Sequence, residues 1–379
     1  MAVRKFSSRH FGFVLGRALT RASLALRARM PFYDRVALMV EAGDCEHYGE
    51  TQAIQLDKAE TEFARALPEA PPKEITRDVA LIALDNVSVL GLTGAAIDEK
   101  RELLLLPRGV RDFATYHHFR LSPSTPVAKP AANYFNMMGA NRGHRHFFHF
   151  LFDRLPRLYY LLNHFPLGRE PVVVLTNDDL APFQRDIFGF LAARHANLKF
   201  EAVPQGERWR LPRLYQVDDF QPIKRTLAST RVIDFIRGLV FDGYGLDASG
   251  AKRRLYVTRS DAKKRRIANE AELLPLLAKR GFEIVAPGKL SFREQVARFM
   301  WTDAVVGPHG AGLTNILFSP KASRVLEIFP ANKVKNTYFL LAHSLGQSYR
   351  GLVAGQGRAH EWFHVKPSAF ERALDELLA

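Results

Sequence analysis

The densest chemistry in this chain lies between Val305 and Asn315, where VVGPHGAGLTN sets His309 among Gly307, Gly310, Ala311 and Gly312. Glycines spaced this closely remove the Cβ atoms that keep a ligand off the backbone, and they permit the positive φ values that turn successive amides inward. An apolar run from Leu313 to Phe318 follows at helical spacing. The turn therefore opens a helix whose first N–H groups and positive dipole end attract a phosphate or another anion. A turn that only reverses the chain has no use for His309. Glycine between a strand and a helix is nonetheless ordinary in αβ proteins, and the turn by itself leaves both readings open.

Two more sets of residues could do chemistry with it. On the segment His144 to Leu162, the side chains of His146, His149, Asp153 and Arg157 form one polar line on an otherwise apolar helix. A carboxylate on such a helix is costly unless paired or used, so His149 and Asp153 read as a general-base pair. A structural ion pair of Asp153 with His149 and Arg157 is the alternative. The other set is basic: Arg259 leaves the end of a predicted strand, and Lys263, Lys264, Arg265 and Arg266 fill the loop after it. Arg259, Arg265 and Arg266 are suited to clamp a diphosphate, because guanidinium groups give bidentate contacts. Glu327, at the end of another strand, reads as an acceptor for ribose hydroxyls.

The elements that position these residues follow from hydrophobic period and turn residues. Residues 34–75 read as a connector ending in PEAPP, residues 79–106 as a small strand-rich region, and residues 107–142 as loops. The segment from His144 is a helix that Pro156 should kink. Strands at 171–175, 198–203 and 213–217 alternate with helices near 181–193 and 229–241, which implies a parallel, helix-covered sheet. GYGLDASGAKR, at 243–253, reads as an interdomain linker. Beyond it, strands at 255–258, 282–285, 304–306, 324–329 and 348–353 alternate with helices at 269–279, 291–301, 313–318, 337–345 and from Pro367. This is an open sheet of the nucleotide-binding type, whose ligand sits at the carboxyl ends of the strands. The acid pairs Asp178/Asp179 and Asp218/Asp219 lack the spaced Asp-x-Asp of a metal-bridged diphosphate site and read as solvated loop acids.

Composition sets the limits. A chain of 379 residues with 47% hydrophobic content can bury two cores. Its single cysteine, Cys45, rules out an intramolecular disulfide and a Cys-rich metal site. No apolar run reaches the roughly 18 residues of a membrane span. The net charge of +15 is concentrated in two stretches, residues 1–35 and 252–266, each with eight Lys/Arg against one Asp. The first is amphipathic, with Phe11, Leu15, Leu19, Ala22 and Leu26 at helical spacing, and it suits either an anionic membrane surface or packing on the body. The second is short, lacks interleaved aromatics and belongs to a nearly neutral body, which argues against nucleic acid as a partner.

Three segments together resemble glycosyltransferase family 61, which includes bacterial capsule and lipopolysaccharide biosynthesis members: HFFHFLFDRLPRL at 146–158, YVTRSDAKKRRIANEAEL at 256–273 and VVGPHGAGLTNILFSPKASRVLEIFP at 305–330. The resemblance implies an α/β fold in a GT-B-like arrangement, with two Rossmann-like domains facing a cleft. Residues 1–75 would be the basic segment and connector, 76–245 the acceptor domain and 246–379 the donor domain. It implies an inverting hexosyl- or pentosyltransferase, with a nucleotide sugar as donor and a glycan or lipid-linked acceptor. Carried over by position, Arg259, Asn269, Glu270, His309, Gly310, Gly312, Asn315 and Glu327 fall on the donor side, and His149 and Asp153 on the acceptor side. Many members carry Trp where this chain has Phe150.

Inversion needs a base for the acceptor hydroxyl and positive charge for the departing diphosphate. Arg259, Arg265, Arg266, the amides after Gly310 and His309 supply that charge, so the expectation is an enzyme without metal or cofactor. A cytoplasmic location follows, peripheral on the inner face of the membrane through residues 1–35. A non-catalytic scaffold that binds a sugar nucleotide is a second reading. A nicotinamide oxidoreductase is a third, weakened because no GxGxxG follows a first strand. Deleting residues 1–30 is expected to lower binding to anionic liposomes; unchanged binding would remove the membrane role.

Overall fold

The computed structural model describes residues 45–68, 71, 74–91, 94, 96–98, 103–105, 124–139, 142–219, 229–247, 250–262, 264–357 and 362–379. The basic segment 1–35, most of the stretch 107–142 and Lys263 lie outside the described residues. The chain divides into two compact units, residues 1–50 with 77–225 and residues 51–76 with 226–379. It is a mixed α/β protein.

The expected connector is structured. Strand β1 (Cys45–Ala53) and strand β2 (Glu74–Leu90) flank helix α1 (Lys58–Ala64). Asp57 caps α1, accepting from the Glu60 amide at 2.8 Å while Glu60 Oε2 accepts from the Asp57 amide at 3.0 Å. The helix is too short to stand alone, and its stability comes from Phe63. That ring packs against Phe329, Phe339 and Tyr349 of the second unit, with centroids 5.7, 5.8 and 5.3 Å away. A Cβ on Gly351 would lie 2.0 Å from the same ring. A segment read as a linker is thus part of the second core.

Among the described residues the first unit is built on a nine-stranded sheet. Strands β3 (Ala96–Asp98), β4 (Leu103–Leu105), β5 (Thr125–Ala128), β6 (Asn133–Asn136), β7 (Val172–Asn177), β8 (Leu198–Val203) and β9 (Glu207–Asp219) run in the order β4-β3-β2-β9-β6-β7-β8, with β1 on β2 and β5 on β9. β6, β7 and β8 are parallel, as alternation with helices predicts, and β2, β3 and β4 form an antiparallel wing. This wing departs from the Rossmann-like pattern implied by the resemblance. Its cause is local: much of the stretch read as a small strand-rich region, VALIAL and DNVSVL included, is the single strand β2 along β9. The ladder skips only where Asn86 faces Pro212. Proline has no N–H to donate there, and Asn86 takes a left-handed φ of 53°, which asparagine tolerates better than most residues. Asp218 and Asp219, expected in a loop, lie in β9 opposite Ala80 and Val79. The unit also holds helices α2 (Leu155–His164) and α3 (Pro182–Arg194).

The second unit has a five-stranded parallel sheet of β10 (Arg253–Val257), β11 (Phe282–Val285), β12 (Thr302–Pro308), β13 (Arg324–Pro330) and β14 (Ser348–Ala354), in the order β11-β10-β12-β13-β14. Counted within the unit this is 2-1-3-4-5, a doubly wound order whose direction reverses between β10 and β12. β12 and β13 are almost wholly buried, which is why they read as unbroken apolar runs. Helices α4 (Thr230–Tyr244), α5 (Glu270–Lys279), α6 (Phe292–Phe299), α7 (Thr337–Ser344) and α8 (Pro367–Leu378) match the expected positions. The Ser291–Glu294 capping box on α6 is present. α4 was assigned by sequence to the acceptor domain, and the stretch after it to an interdomain linker. Instead α4 ends at Gly245, which takes the left-handed cap conformation, and the chain continues within the second unit.

The segment after the glycine turn is a 3-10 helix, Ala311–Phe318, with every side chain from Leu313 onward buried. Its terminal carbonyls need donors in the interior. Arg237 of α4 supplies two bonds, to Leu317 O at 3.0 Å and Ser319 O at 2.7 Å, and Gln347 Nε2 bonds Ile316 O at 3.0 Å. Phe63→Ala is expected to lower the stability of the second unit by about 3–5 kcal/mol, the usual cost of emptying a buried aromatic site. Urea unfolding followed by a probe in that unit measures it.

Candidate functional site

In the second unit the strand order reverses between β10 and β12, which run parallel, and the chain just past their carboxyl ends carries Arg259 and His309. β12 pairs Gly307 with Glu327 and Pro308 with Ile328, and the His309 amide extends the ladder to Ile328 O at 3.0 Å. This register puts the His309 ring beside Glu327. Nδ1 lies 2.5 Å from Glu327 Oε1, and Tyr349 donates to Oε2 at 2.6 Å. An ionised carboxylate only accepts, so Nδ1 carries the proton and Nε2 is the working nitrogen. The ring stacks on Phe329 and leans on Tyr338, whose hydroxyl lies 3.1 Å from Thr314 Oγ1. Burial, followed by the Glu327 charge, pushes the Tyr349 phenol well up, so it stays a donor.

Glu327 is fully buried and both of its oxygens are engaged. The expected ribose contact is therefore corrected: Glu327 orients His309 instead. Other residues of the expected donor list also hold structure. Asn269 exchanges two bonds with the Val365 backbone, at 2.9 and 3.0 Å. Glu270 accepts from Tyr256 Oη at 2.7 Å and Thr258 Oγ1 at 2.8 Å, fixing the end of β10. Asn315 Nδ2 ties Gly312 O to Gln295 Oε1 at 3.1 and 2.9 Å. Arg266 lies over the Trp362 ring, 4.5 Å from its centroid. All of these bonds join parts of the protein to each other.

Arg259, Arg265, Gly310, Ala311, Gly312 and His309 form the part that can meet a ligand. Nε and Nη2 of Arg259 donate to Lys264 O at 3.2 and 3.1 Å, which folds the basic loop back on itself. Its Nη1 lies where a side chain on Gly310 would begin, 1.6 Å from an ideal Cβ. The glycines act through space, contrary to the expectation of positive φ: Gly310 is extended at φ 174°, and neither Gly307 nor Gly312 is left-handed. A Cβ on Gly312 would meet Val257 Cγ1 at 2.8 Å. Arg265 is the residue with a left-handed φ, 58°, which is strained for an arginine. Arg259 and Arg265 both bring positive charge to Tyr338, although burial dominates and raises that phenol. Cations, a histidine and the first amides of a helix suit an anion such as a diphosphate.

In the first unit the expected single helix is interrupted. Phe147–His149 is α-helical, Phe150–Arg154 is one turn of π-helix closed by Leu155 N on Phe150 O, and α2 follows. Pro156 explains the change: it has no N–H for the carbonyl four residues back and its ring crowds that carbonyl, so the preceding turn widens where a kink was expected. His149 Nδ1 meets Asp153 Oδ2 at 2.6 Å, as the spacing predicts. Their side chains are 47% and 29% exposed, so the pair is reachable by solvent. Asp153 Oδ1 is buried with no hydrogen-bond partner among the described residues. Asp179 pairs with buried His144 at 2.6 Å, and Asp178 accepts twice from Gln205, so these two acids staple loops and are not merely solvated.

Tyr349, Tyr338 and Thr258 were not singled out from the sequence. Tyr349 had a signal: a tyrosine in a buried strand needs a hydroxyl partner, and Glu327 on the neighbouring strand needs a donor. Among the described residues no group of three or more His, Cys, Asp or Glu is placed to hold a metal ion.

Comparison with known proteins bears out the family resemblance. Residues 147–326 match the family model described as Glycosyltransferase 61. An EGF domain-specific O-linked N-acetylglucosamine transferase of Drosophila melanogaster is 38% identical over 101 residues, which are 26% of this chain and 19% of that protein. The crystal structure of the bacterial iron-containing dodecameric glycosyltransferase TibC from enterotoxigenic E. coli H10407 aligns over 69% of this chain and 78% of that one, at 12% identity and a TM-score of 0.25. At that score the two folds are not equated.

Gly310→Ala is expected to leave thermal stability within about 1 kcal/mol, because its Cβ meets the end of a flexible side chain. The displaced Arg259 should weaken pyrophosphate binding about tenfold or more, as hydrogen bonds between charged groups contribute about 1.5–3 kcal/mol. Calorimetric titration checks this, and an unchanged affinity would remove Arg259 from the anion site.

Proposed function

We propose that this chain is an inverting, metal-independent glycosyltransferase that moves a sugar from a nucleotide-sugar donor to a glycan or glycolipid acceptor. The observation that carries the reading is the grouping of His309, fixed by Glu327, with Arg259, Arg265 and the start of the 311–318 helix at the reversal of a parallel sheet. The match to glycosyltransferase family 61 supports it, as does the transfer of N-acetylglucosamine named for the Drosophila relative. A role in bacterial surface polysaccharide synthesis, in the cytoplasm at the inner face of the membrane, rests on the motif resemblance and the basic segment 1–35.

In the reaction the acceptor oxygen bonds to the anomeric carbon as the bond from that carbon to the diphosphate oxygen breaks. The electron pair leaves on the diphosphate, where Arg259, Arg265 and the amides after Gly310 stabilise it. Asp153, hydrogen-bonded to His149, takes the hydroxyl proton. A second assignment of the base has its own observation: with Nδ1 held by Glu327, Nε2 is the ring nitrogen of His309 left to meet a substrate.

A thermal-shift screen of sugar nucleotides identifies the donor, since a ligand at 100 times its dissociation constant adds about 2.7 kcal/mol. Transfer is then assayed in EDTA, where wild-type turnover is expected to persist. Asp153→Asn is expected to lose turnover while retaining donor binding, and His309→Ala and Arg259→Ala to lose donor binding. Wild-type turnover in Asp153→Asn would pass the base role to another group. Donor binding without turnover of any donor by the wild type would favour the scaffold reading.

A further inference from the structure

Arg154, absent from the motif assignments above, closes the π-helical turn. Its guanidinium lies on Gly139, just past the carboxyl end of β6, with Cζ, Nη1 and Nη2 all within 2.1 Å of where a Cβ on that glycine would stand. The floor beneath it is fixed. Gly139 N donates to Asn177 Oδ1 at 3.0 Å, Asn177 Nδ2 returns a bond to Gly139 O at 3.3 Å, and Met138 N donates to Asn136 Oδ1 at 3.1 Å. Asp153, next in sequence, gives its Oδ2 to His149. Besides Asp153, the charge that acts on it is that of Arg157, of like sign. Burial, then Arg157, pulls the Arg154 guanidinium down to about 10, so its surroundings oppose the charge it carries.

We propose that Arg154, lying on Gly139 without a hydrogen-bond partner among the described residues, forms with the adjoining π-helical turn a binding site for an oxyanion, phosphate or carboxylate, carried by a ligand of the first unit. A guanidinium has five donors in a planar fork that matches such groups, and leaving all of them unused in a half-buried place is costly. The position is where parallel sheets take ligands: β6, β7 and β8 run parallel, and Gly139 and Asn177 stand at their carboxyl ends. Glycine at 139 leaves the space that the guanidinium fills. The π-turn gives residue 154 its direction, because the extra residue in that turn rotates the side chains after it. The site stands whether or not sugar transfer is the reaction; if it is, the oxyanion belongs to the acceptor.

The full chain with isotope-labelled arginine is titrated by NMR with inorganic phosphate, with acetate and with uncharged glucose. The Arg154 guanidinium resonance is identified by its loss in Arg154→Lys. Saturable movement with phosphate or acetate and none with glucose is expected, and the more effective anion names the group. Gly139→Ala, whose methyl would occupy the guanidinium's place, is expected to abolish the movement. A resonance unmoved by both anions would overturn the inference, and so would movement undiminished in Gly139→Ala. Neither readout depends on turnover, so a failed transfer assay leaves this test intact.

Discussion

A carboxylate buried beyond the reach of water organises the second unit. Glu327 must be compensated on both oxygens, and the two donors come from opposite sides in sequence, His309 after β12 and Tyr349 on β14. Removing either would leave a charge in the interior, which costs more than the bond it replaces contributes. The pairing therefore fixes the tautomer and tilt of His309 together with the register of three strands. The glycine turn inherits its position from that histidine, and Arg259 in turn lies against the turn.

The first unit has a comparable dependence on one missing hydrogen. Pro156 cannot bond the carbonyl behind it, so the backbone ahead takes a wider turn, and the residues of that turn include Asp153 and Arg154. A π-turn disturbs the regular stacking of side chains, and here it places one carboxylate within reach of His149 and one guanidinium against the end of β6. Ordinary helical geometry would supply the first of these contacts at the same spacing.

Much of this was legible in the sequence because it depends on period and on local chemistry. The alternation beyond residue 255 located every strand of the parallel sheet, and Ser291 with Glu294 announced their capping box. The four-residue step from His149 to Asp153 gave their pairing. Roles set by distant partners were not legible. Glu327 looks like a ligand residue until Tyr349 is placed beside it, and Asn269 looks free until Val365 returns to meet it. The glycines were rightly marked, but for the wrong reason: what surrounds them, rather than their own torsion angles, excludes a side chain. The boundary near residue 75 failed because Phe63 finds its neighbours among residues far along the chain.

The last point has a consequence in time. Residues 51–76 and 226–379 make one unit, with the bulk of the other unit encoded between them. During synthesis, α1 is made long before the strands that cover it. Phe63 must wait for Gly351, roughly 290 residues later, or ~15–60 s at roughly 5–20 residues per second. Through that interval the nascent chain carries an aromatic helix without its cover while the intervening unit is free to fold. The second unit cannot close until the strand that carries Gly351 has been made. Assembly of the anion-binding end of its sheet is thereby tied to the synthesis of β14.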